Sequence, residues 1–232
     1  PPRSATLGRH DVVRHVCEET GLPEFLVRDD LPLDPADVTR RFRARILGQD
    51  AVIDRMADLV ARIKAGVADS ERPLGAYLFV GPTGVGKTET VKTLAELLYG
   101  RSDRVLRFDM SEYQGADCLD RLLGVGEVEG LVAKVARLPF AIVLLDELEK
   151  AHPAVFDVLL QVLGEARLSD RGGRTADFRN AVILMTSNLG VDTFRRPTGF
   201  GADVERALAD HLHAEVKRFF RPEFVGRLDD VV

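Results

Sequence analysis

The sequence has 232 residues, of which 45% are hydrophobic and 30% are charged, a balance typical of a globular protein with one well-buried domain. The formal net charge of -5 argues against a protein that coats nucleic acid, because neutralising phosphates requires a basic surface. No apolar run is long enough to span a bilayer, and the two cysteines do not require a disulfide. We therefore expect a cytoplasmic protein without membrane or nucleic-acid partners, and the start at Pro1 suggests a fragment of a longer chain.

Residues 1–69 predict a helical arm. Apolar side chains recur at helical spacing over residues 11–20 and again over residues 52–63. Between these stretches, Asp34 is placed to cap a helix and Pro35 suits the first helical position. We expect this arm to belong to the same module as the rest of the chain.

Residues 70–232 predict an α/β domain. Its four short hydrophobic runs, AYLFV, VLRFD, AIVLLD and AVILMT, are typical of strands that are buried on both faces of a parallel sheet. Helical stretches separate these runs, and a fifth strand is expected at DDVV. The pattern predicts a three-layer α/β fold with a mainly parallel five-stranded sheet.

The stretch FVGPTGVGKTET predicts a phosphate-binding loop between the first strand and the next helix. Gly81, Gly86, Lys87 and Thr88 have the spacing G-x-x-x-x-G-K-[ST], in which backbone N–H groups surround a polyphosphate. Lys87 would reach the β- and γ-phosphates, and the Thr88 hydroxyl would hold a magnesium ion. The alternative is a glycine-rich turn with a surface lysine. The residues predicted to contact the nucleotide here are Pro82, Thr83, Gly84, Val85, Gly86, Lys87 and Thr88.

Polar residues follow the third and fourth strands. Asp146 and Glu147 come at the carboxyl edge of the sheet, where doubly wound folds bind ligands. Asp146 is predicted to hold Mg²⁺ together with Thr88, and Glu147 to polarise the attacking water. Alternatively, the two acidic residues cap the next helix. Asn188 is placed to hydrogen-bond the water or the γ-phosphate, although Thr-Ser-Asn is also a common strand exit.

Seven collinear blocks carry a family resemblance: RILGQDAV, GPTGVGKTE, DMSEY, VLLDELEKAHPAVFDVLLQVL, GRTADFRN, MTSNLG and FRPEFVGRLD. They resemble the second ATPase module of Clp-type AAA+ protein unfoldases and disaggregases, from about Val12 to the last residue. The resemblance implies a P-loop NTPase fold, ATP or ADP and Mg²⁺ as ligands, a homo-oligomeric ring of six subunits, and protein substrates. The family's C-terminal helical lid is expected to be missing, because the chain ends before that lid begins.

The resemblance also implies roles for three further residues. Arg227 matches the arginine finger that reaches the nucleotide of the adjacent subunit, where a cation stabilises charge on the γ-phosphoryl group. The alternative is a surface arginine after a helix. Ile46 and Leu47 match the adenine-pocket segment, although apolar residues at these positions suit a core equally well.

Two segments differ from the family's pattern. Residues 125–129 stand where the family grips polypeptide with Gly-Tyr-Val-Gly, and they contain no aromatic residue. The stretch that contains them is also shorter than the family's. Either this ring threads polypeptide weakly and relies on a partner ring, or it has another task; the milder alternative is a shortened loop with a different grip. The stretch around Gly199 and Phe200 resembles the tripeptide by which some members dock on a barrel protease, but Thr198 stands where an aliphatic residue is usual.

These features predict a magnesium-dependent ATPase that couples hydrolysis to the unfolding of substrate proteins. The competing hypothesis is a regulatory AAA+ switch, in which nucleotide state controls assembly with a partner without threading of a chain. A DNA-remodelling AAA+ protein finds support only in the arginine cluster RRFRAR.

Overall fold

The computed structural model describes residues 8–67, 69–125, 129–195 and 202–232. Four helices form the arm: α1 (Arg9–Thr20), α2 (Glu24–Val27), α3 (Pro35–Arg43) and α4 (Asp50–Lys64). Helix α3 begins as predicted, because Oδ1 of Asp34 accepts a hydrogen bond of 2.9 Å from the N–H of Ala36 and Pro35 is the first helical residue. Phe42 and Met56 are fully buried, so the arm shares a core with the domain that follows it.

The described part of the chain contains seven strands: β1 (Gly75–Val80), β2 (Val105–Asp109), β3 (Ile142–Asp146), β4 (Arg167–Ser169), β5 (Thr175–Asp177), β6 (Val182–Ser187) and β7 (Asp230–Val231). Five of them form a sheet in the order β2-β3-β6-β1-β7, and every neighbouring pair is parallel. The predicted five-stranded parallel sheet is confirmed, including the short strand at DDVV.

Helices cover both faces of this sheet. After the arm come α5 (Lys87–Tyr99), α6 (Cys118–Leu123), α7 (Leu131–Arg137), α8 (Pro153–Glu165), α9 (Ala202–Phe219) and α10 (Pro222–Val225). Successive residues of a strand point to opposite faces, so Tyr77 packs with the arm and α5 whereas Leu78 packs with the helices on the other face. The three-layer arrangement is therefore confirmed. No helix among the described residues has the length and apolarity needed to cross a membrane.

The hairpin formed by β4 and β5 was not predicted from the sequence. The two strands pair antiparallel, and the hydroxyls of Ser169 and Thr175 lie 2.7 Å apart across them. Each strand has only three residues and one buried side chain, Leu168 or Ala176, so neither produces a hydrophobic run. The glycine pair in the connecting turn was the only local signal, and a turn alone does not identify its strands.

Candidate nucleotide-binding site

The phosphate loop lies between the end of β1 and the start of α5. The backbone at Gly84 and Gly86 has φ values of 84° and 103°, in the left-handed region that only glycine adopts without strain. The N–H of Gly81 donates to the carbonyl of Ser187 at 3.1 Å, which attaches the start of the loop to the end of β6. Gly84 and Gly86 line a cavity of about 450 Å³, which Thr88 also lines.

Lys87 is the first residue of α5, and its ammonium group points back into the loop. Nζ donates to the carbonyl of Gly81 at 2.5 Å and to Oδ1 of Asn188 at 2.8 Å. Burial lowers the pKa of Lys87, while the nearby carboxylates of Glu149 and Asp146 oppose that lowering. The lysine is therefore a half-buried cation whose hydrogen bonds end on protein oxygens.

Asp146 ends β3 with both carboxylate oxygens engaged. Oδ2 pairs with Nη2 of Arg107 at 2.5 Å, and Oδ1 accepts from the hydroxyl of Thr186. The same Thr186 oxygen accepts from the N–H of Glu147 at 3.0 Å. Thr186 is buried in β6, next to β3. Its hydroxyl therefore holds both the side chain of Asp146 and the backbone of Glu147.

Glu147 has φ 56° and ψ 51°, a left-handed conformation that costs a non-glycine residue free energy. The sharp turn directs its side chain toward the cavity, which it lines. Its Oε2 accepts a hydrogen bond of 2.6 Å from Nζ of Lys150, and this contact raises the pKa of that lysine. Backbone strain of this kind at the end of a buried strand is typical of functional sites.

Asn188 follows β6 and joins the two sides of the cavity. Its side-chain oxygen accepts from Lys87, and its backbone N–H donates to Oε1 of Glu149 at 3.1 Å. The other oxygen of Glu149 is buried without a hydrogen-bond partner among the residues that the structure describes. The structure thus brings Lys87, Asp146, Glu147 and Asn188 together at the carboxyl edge of the sheet.

The two predicted adenine-pocket residues differ in burial. Ile46 is 3% exposed and belongs to the core beneath the arm, and its Cγ2 lies 3.8 Å from the position that a Cβ on Gly86 would take. Leu47 is 85% exposed. Ile46 therefore lies beside the end of the phosphate loop, whereas Leu47 offers an apolar surface with nothing packed over it in the described part of the chain.

Arg227 lies at the opposite edge of the sheet. Asp229, two residues later, exchanges hydrogen bonds with Ala76 near the start of β1: its N–H donates to the Ala76 carbonyl at 2.8 Å and its Oδ2 accepts at 2.7 Å. The phosphate loop begins five residues further along β1, at Gly81, which is about 17 Å at the rise of a strand. Arg227 therefore does not join its own chain's cavity.

Sequence reasoning missed three residues of this site: Arg107, Thr186 and Glu149. Arg107 gave a usable signal, since it is a charged residue between the apolar residues Leu106 and Phe108 of a strand that ends beside Asp146. Thr186 and Glu149 lie inside motifs that were recognised, but their hydrogen bonds join different elements, and a linear pattern does not contain that information.

A magnesium ion fits the donors present here. The described residues contain no group of three or more His, Cys, Asp or Glu side chains that could hold a metal by themselves. Mg²⁺ is commonly bound by one or two protein oxygens, with the rest of its shell supplied by phosphates and water. The Thr88 hydroxyl and the Asp146 carboxylate, both lining the cavity, are suited to that mode of binding.

Two predicted loops fall wholly or partly outside the described residues. Thr198, Gly199 and Phe200 lie outside them. Of residues 125–129, the structure describes only Val125 and Glu129, and the carboxylate of Glu129 pairs with Arg137 on α7.

The comparisons with known proteins agree with this geometry. Residues 72–231 match the family model described as AAA domain (Cdc48 subfamily). The negative regulator of genetic competence ClpC/MecB of Bacillus subtilis (strain 168) is 41% identical over 96% of this chain and 29% of its own length. The probable chaperone protein ClpB 1 of Chlorobaculum tepidum is 42% identical over 96% of this chain and 53% of its own length.

A third relative, the ATP-dependent Clp protease ATP-binding subunit ClpC of Staphylococcus aureus (strain USA300), is 38% identical over 99% of this chain. The chain spans 30% of that relative, so it corresponds to a part of these longer proteins. The chain therefore belongs to the AAA domain family, in which it is a Clp-type AAA+ ATPase module.

Proposed function

We propose that this chain is the ATP-hydrolysing module of a Clp-like protein-remodelling machine, which couples ATP turnover to the unfolding of substrate proteins in a ring of subunits. The observation that carries the proposal is the gathering of Lys87, Asp146, Glu147 and Asn188 around one cavity beside the phosphate loop. Two of the relatives above are named as a chaperone and as the ATP-binding subunit of a Clp protease, which supports remodelling as the purpose of the turnover.

In this proposal, residues 82–88 hold the phosphates of ATP, and Ile46 and Leu47 contact the adenine. The backbone N–H groups of the loop donate to phosphate oxygens, and Lys87 exchanges its present protein acceptors for the β- and γ-phosphates. Thr88 and Asp146 would hold Mg²⁺, which would supply positive charge to the phosphate oxygens. For Asp146 to take this role, its contact with Arg107 has to be given up.

Glu147 is proposed as the general base. Its carboxylate takes a proton from water as the water oxygen attacks the γ-phosphorus and the bond to the ADP oxygen breaks. Asn188 orients that water or the γ-phosphate from the neighbouring strand. Lys150 presently neutralises the Glu147 carboxylate, so a productive site requires Glu147 to turn from Lys150 toward the water.

Arg227 is proposed to act on the neighbouring subunit. It lies at the sheet edge remote from its own phosphate loop, so it contributes to a nucleotide site only across an interface. A cation beside the γ-phosphoryl group is worth about a thousandfold or more in related NTPases. We propose a homo-oligomeric ring, with six subunits as the resemblance implies.

The regulatory switch is the weaker of the two functions, because relatives named as chaperones favour remodelling. The absence of an aromatic residue from residues 125–129 is the observation in its favour. Docking on a barrel protease through Gly199 and Phe200 and a cytoplasmic location are further parts of the proposal. They rest on the family resemblance.

The function is tested with Lys87→Ala and Glu147→Gln variants of the full-length natural protein. Lys87→Ala is expected to lose nucleotide binding, whereas Glu147→Gln should bind ATP as the wild type does and hydrolyse it at less than about one per cent of the wild-type rate. Glu18→Gln, an exposed glutamate on α1, is the matched control. Normal turnover by the Glu147 variant would remove that residue from the mechanism.

A further inference from the structure

The guanidinium group of Arg227 lies flat against the C-terminal end of α8. A Cβ placed on Gly164, the penultimate residue of that helix, would lie 3.1 Å from Nη1, 3.3 Å from Cζ and 3.6 Å from Nη2 of Arg227. Three atoms of the planar guanidinium group are thus at similar distances from the Cβ position of residue 164, so the face of the group is turned toward Gly164. A side chain at residue 164 would make the guanidinium shift by a few tenths of an ångström from this position.

Arg72 holds the backbone of Arg227 at the same place. Its Nη2 donates to the carbonyl of Arg227, and its Nε donates to the carbonyl of Leu163 at 3.4 Å. One half-buried arginine therefore joins the end of α8 to the segment that carries Arg227. The backbone and the side chain of Arg227 are fixed by different residues, Arg72 and Gly164.

The charge of Arg227 is available in this arrangement. Arg227 is exposed, and it forms no ion pair with a carboxylate in the part of the chain that the structure describes. The C-terminal end of a helix carries partial negative charge, so a guanidinium resting on the last turn of α8 is mildly stabilised there without being neutralised. The cation is held in position and remains free to meet an anion.

We propose that Gly164 and Arg72 are positioning residues for Arg227, and that Gly164 provides the surface on which the guanidinium is aimed at the nucleotide of the adjacent subunit. The inference rests on the proposed role of Arg227. A methyl group at residue 164 would lift the guanidinium by several tenths of an ångström, and errors of about 1 Å in positioning cost up to a hundredfold in rate.

The test uses Gly164→Ala and Gly164→Gln in the full-length natural protein. Gly164→Ala is expected to lower kcat for ATP about tenfold with KM unchanged, because the residues that hold ATP lie at the other edge of the sheet. Gly164→Gln should approach the loss seen in Arg227→Ala. Neither should lower the melting temperature, since both residues favour a helix more than glycine does. Gln161→Ala, one turn earlier on the exposed face of α8, is the control and should leave kcat unchanged.

Mixing experiments separate a positioning role from a general structural one. Each Gly164 variant is mixed with an excess of Glu147→Gln chains, which carry an intact Arg227 but do not hydrolyse ATP themselves. The turnover per Gly164→Ala chain should rise toward the wild-type value, as it should for Arg227→Ala, because the neighbour now supplies a correctly placed arginine.

Three outcomes would each refute either the shared nucleotide site or the positioning role of Gly164. If Arg227→Ala has normal turnover, the shared site of the proposed function fails. If Arg227→Ala is impaired but the Gly164 variants are not, only the positioning role of Gly164 fails. If the Gly164 variants are impaired and are not rescued by Glu147→Gln chains while Arg227→Ala is rescued, the defect lies within the subunit and the positioning role is again refuted.

Discussion

Replacing Arg107 by glutamine should strengthen the dependence of nucleotide binding on magnesium. In the structure, Arg107 occupies Oδ2 of Asp146, the carboxylate that is proposed to hold Mg²⁺. The arginine side chain is 58% exposed and the aspartate 17%, so solvent screens much of their attraction. We therefore assign the pair about 1 kcal/mol, the upper part of the range for exposed ion pairs.

That free energy sets the size of the effect. If Asp146 holds magnesium as proposed, the contact of Asp146 with Arg107 would have to be given up. Removing the arginine should then improve binding of the metal by about fivefold, since 1.4 kcal/mol corresponds to a factor of ten. The quantity to compare is the ratio of the ADP dissociation constants without and with magnesium. Any direct attraction between Arg107 and phosphate affects both constants and largely cancels in this ratio.

The assay is calorimetric titration of the chain with ADP, once in EDTA and once with magnesium. Arg107→Gln should show a ratio about five times that of the wild type, and the difference should shrink at high salt because the pair is partly exposed. Arg101→Gln is the control, since that exposed arginine pairs with nearby Asp103 and does not line the cavity. An unchanged or smaller ratio in Arg107→Gln would refute the competition between arginine and metal for Asp146.

Two further predictions concern stability and are checked by chemical denaturation. Gly130→Ala should destabilise the chain by about 3 kcal/mol. A Cβ at this residue would lie 2.2 Å from the carbonyl carbon of Leu123 and 2.3 Å from the nitrogen of Gly124. These are backbone atoms, which do not move aside as flexible side chains do. Gly8→Ala, whose Cβ meets only ordinary contact, serves as its control, and a similar effect in both would contradict the reasoning. Asp34→Ala should cost about 1 kcal/mol through the lost N-cap of α3, and Asp34→Asn should restore most of it.

The parts of the fold that the sequence predicts are those with local causes. Strands buried on both faces must be apolar, so β1, β3 and β6 were visible as hydrophobic runs. The sequence prediction that β2 is also buried on both faces is wrong, because β2 lies at the edge of the sheet and most of its residues, including Arg107, are partly or fully exposed. Parallel strands also place their carboxyl ends at a common edge, which is why residues as distant in sequence as Lys87 and Asn188 could be assigned to one site.

The parts that escaped prediction depend on contacts between distant segments. Nothing near Gly164 in the sequence indicates that Arg227 rests on it. The charge of Arg107 within its strand marks that residue as unusual, but the sequence does not identify Asp146 as its partner. The left-handed backbone of Glu147 is equally hidden, because a non-glycine residue adopts it only when the surrounding structure imposes it. Contacts of this kind can be identified only once the three-dimensional packing of the chain is known.

The two carboxylates at the centre of the site are each neutralised by a cation from a different element. Arg107 of β2 holds Asp146, and Lys150 of the turn after β3 holds Glu147. Each cation must be displaced before its carboxylate can take the proposed role, Asp146 toward magnesium and Glu147 toward water. In the proposed shared site Arg227 comes from another subunit, so three separate events would complete one site. A single chain that binds ATP is therefore expected to hydrolyse it slowly, and turnover should rise with protein concentration as subunits assemble.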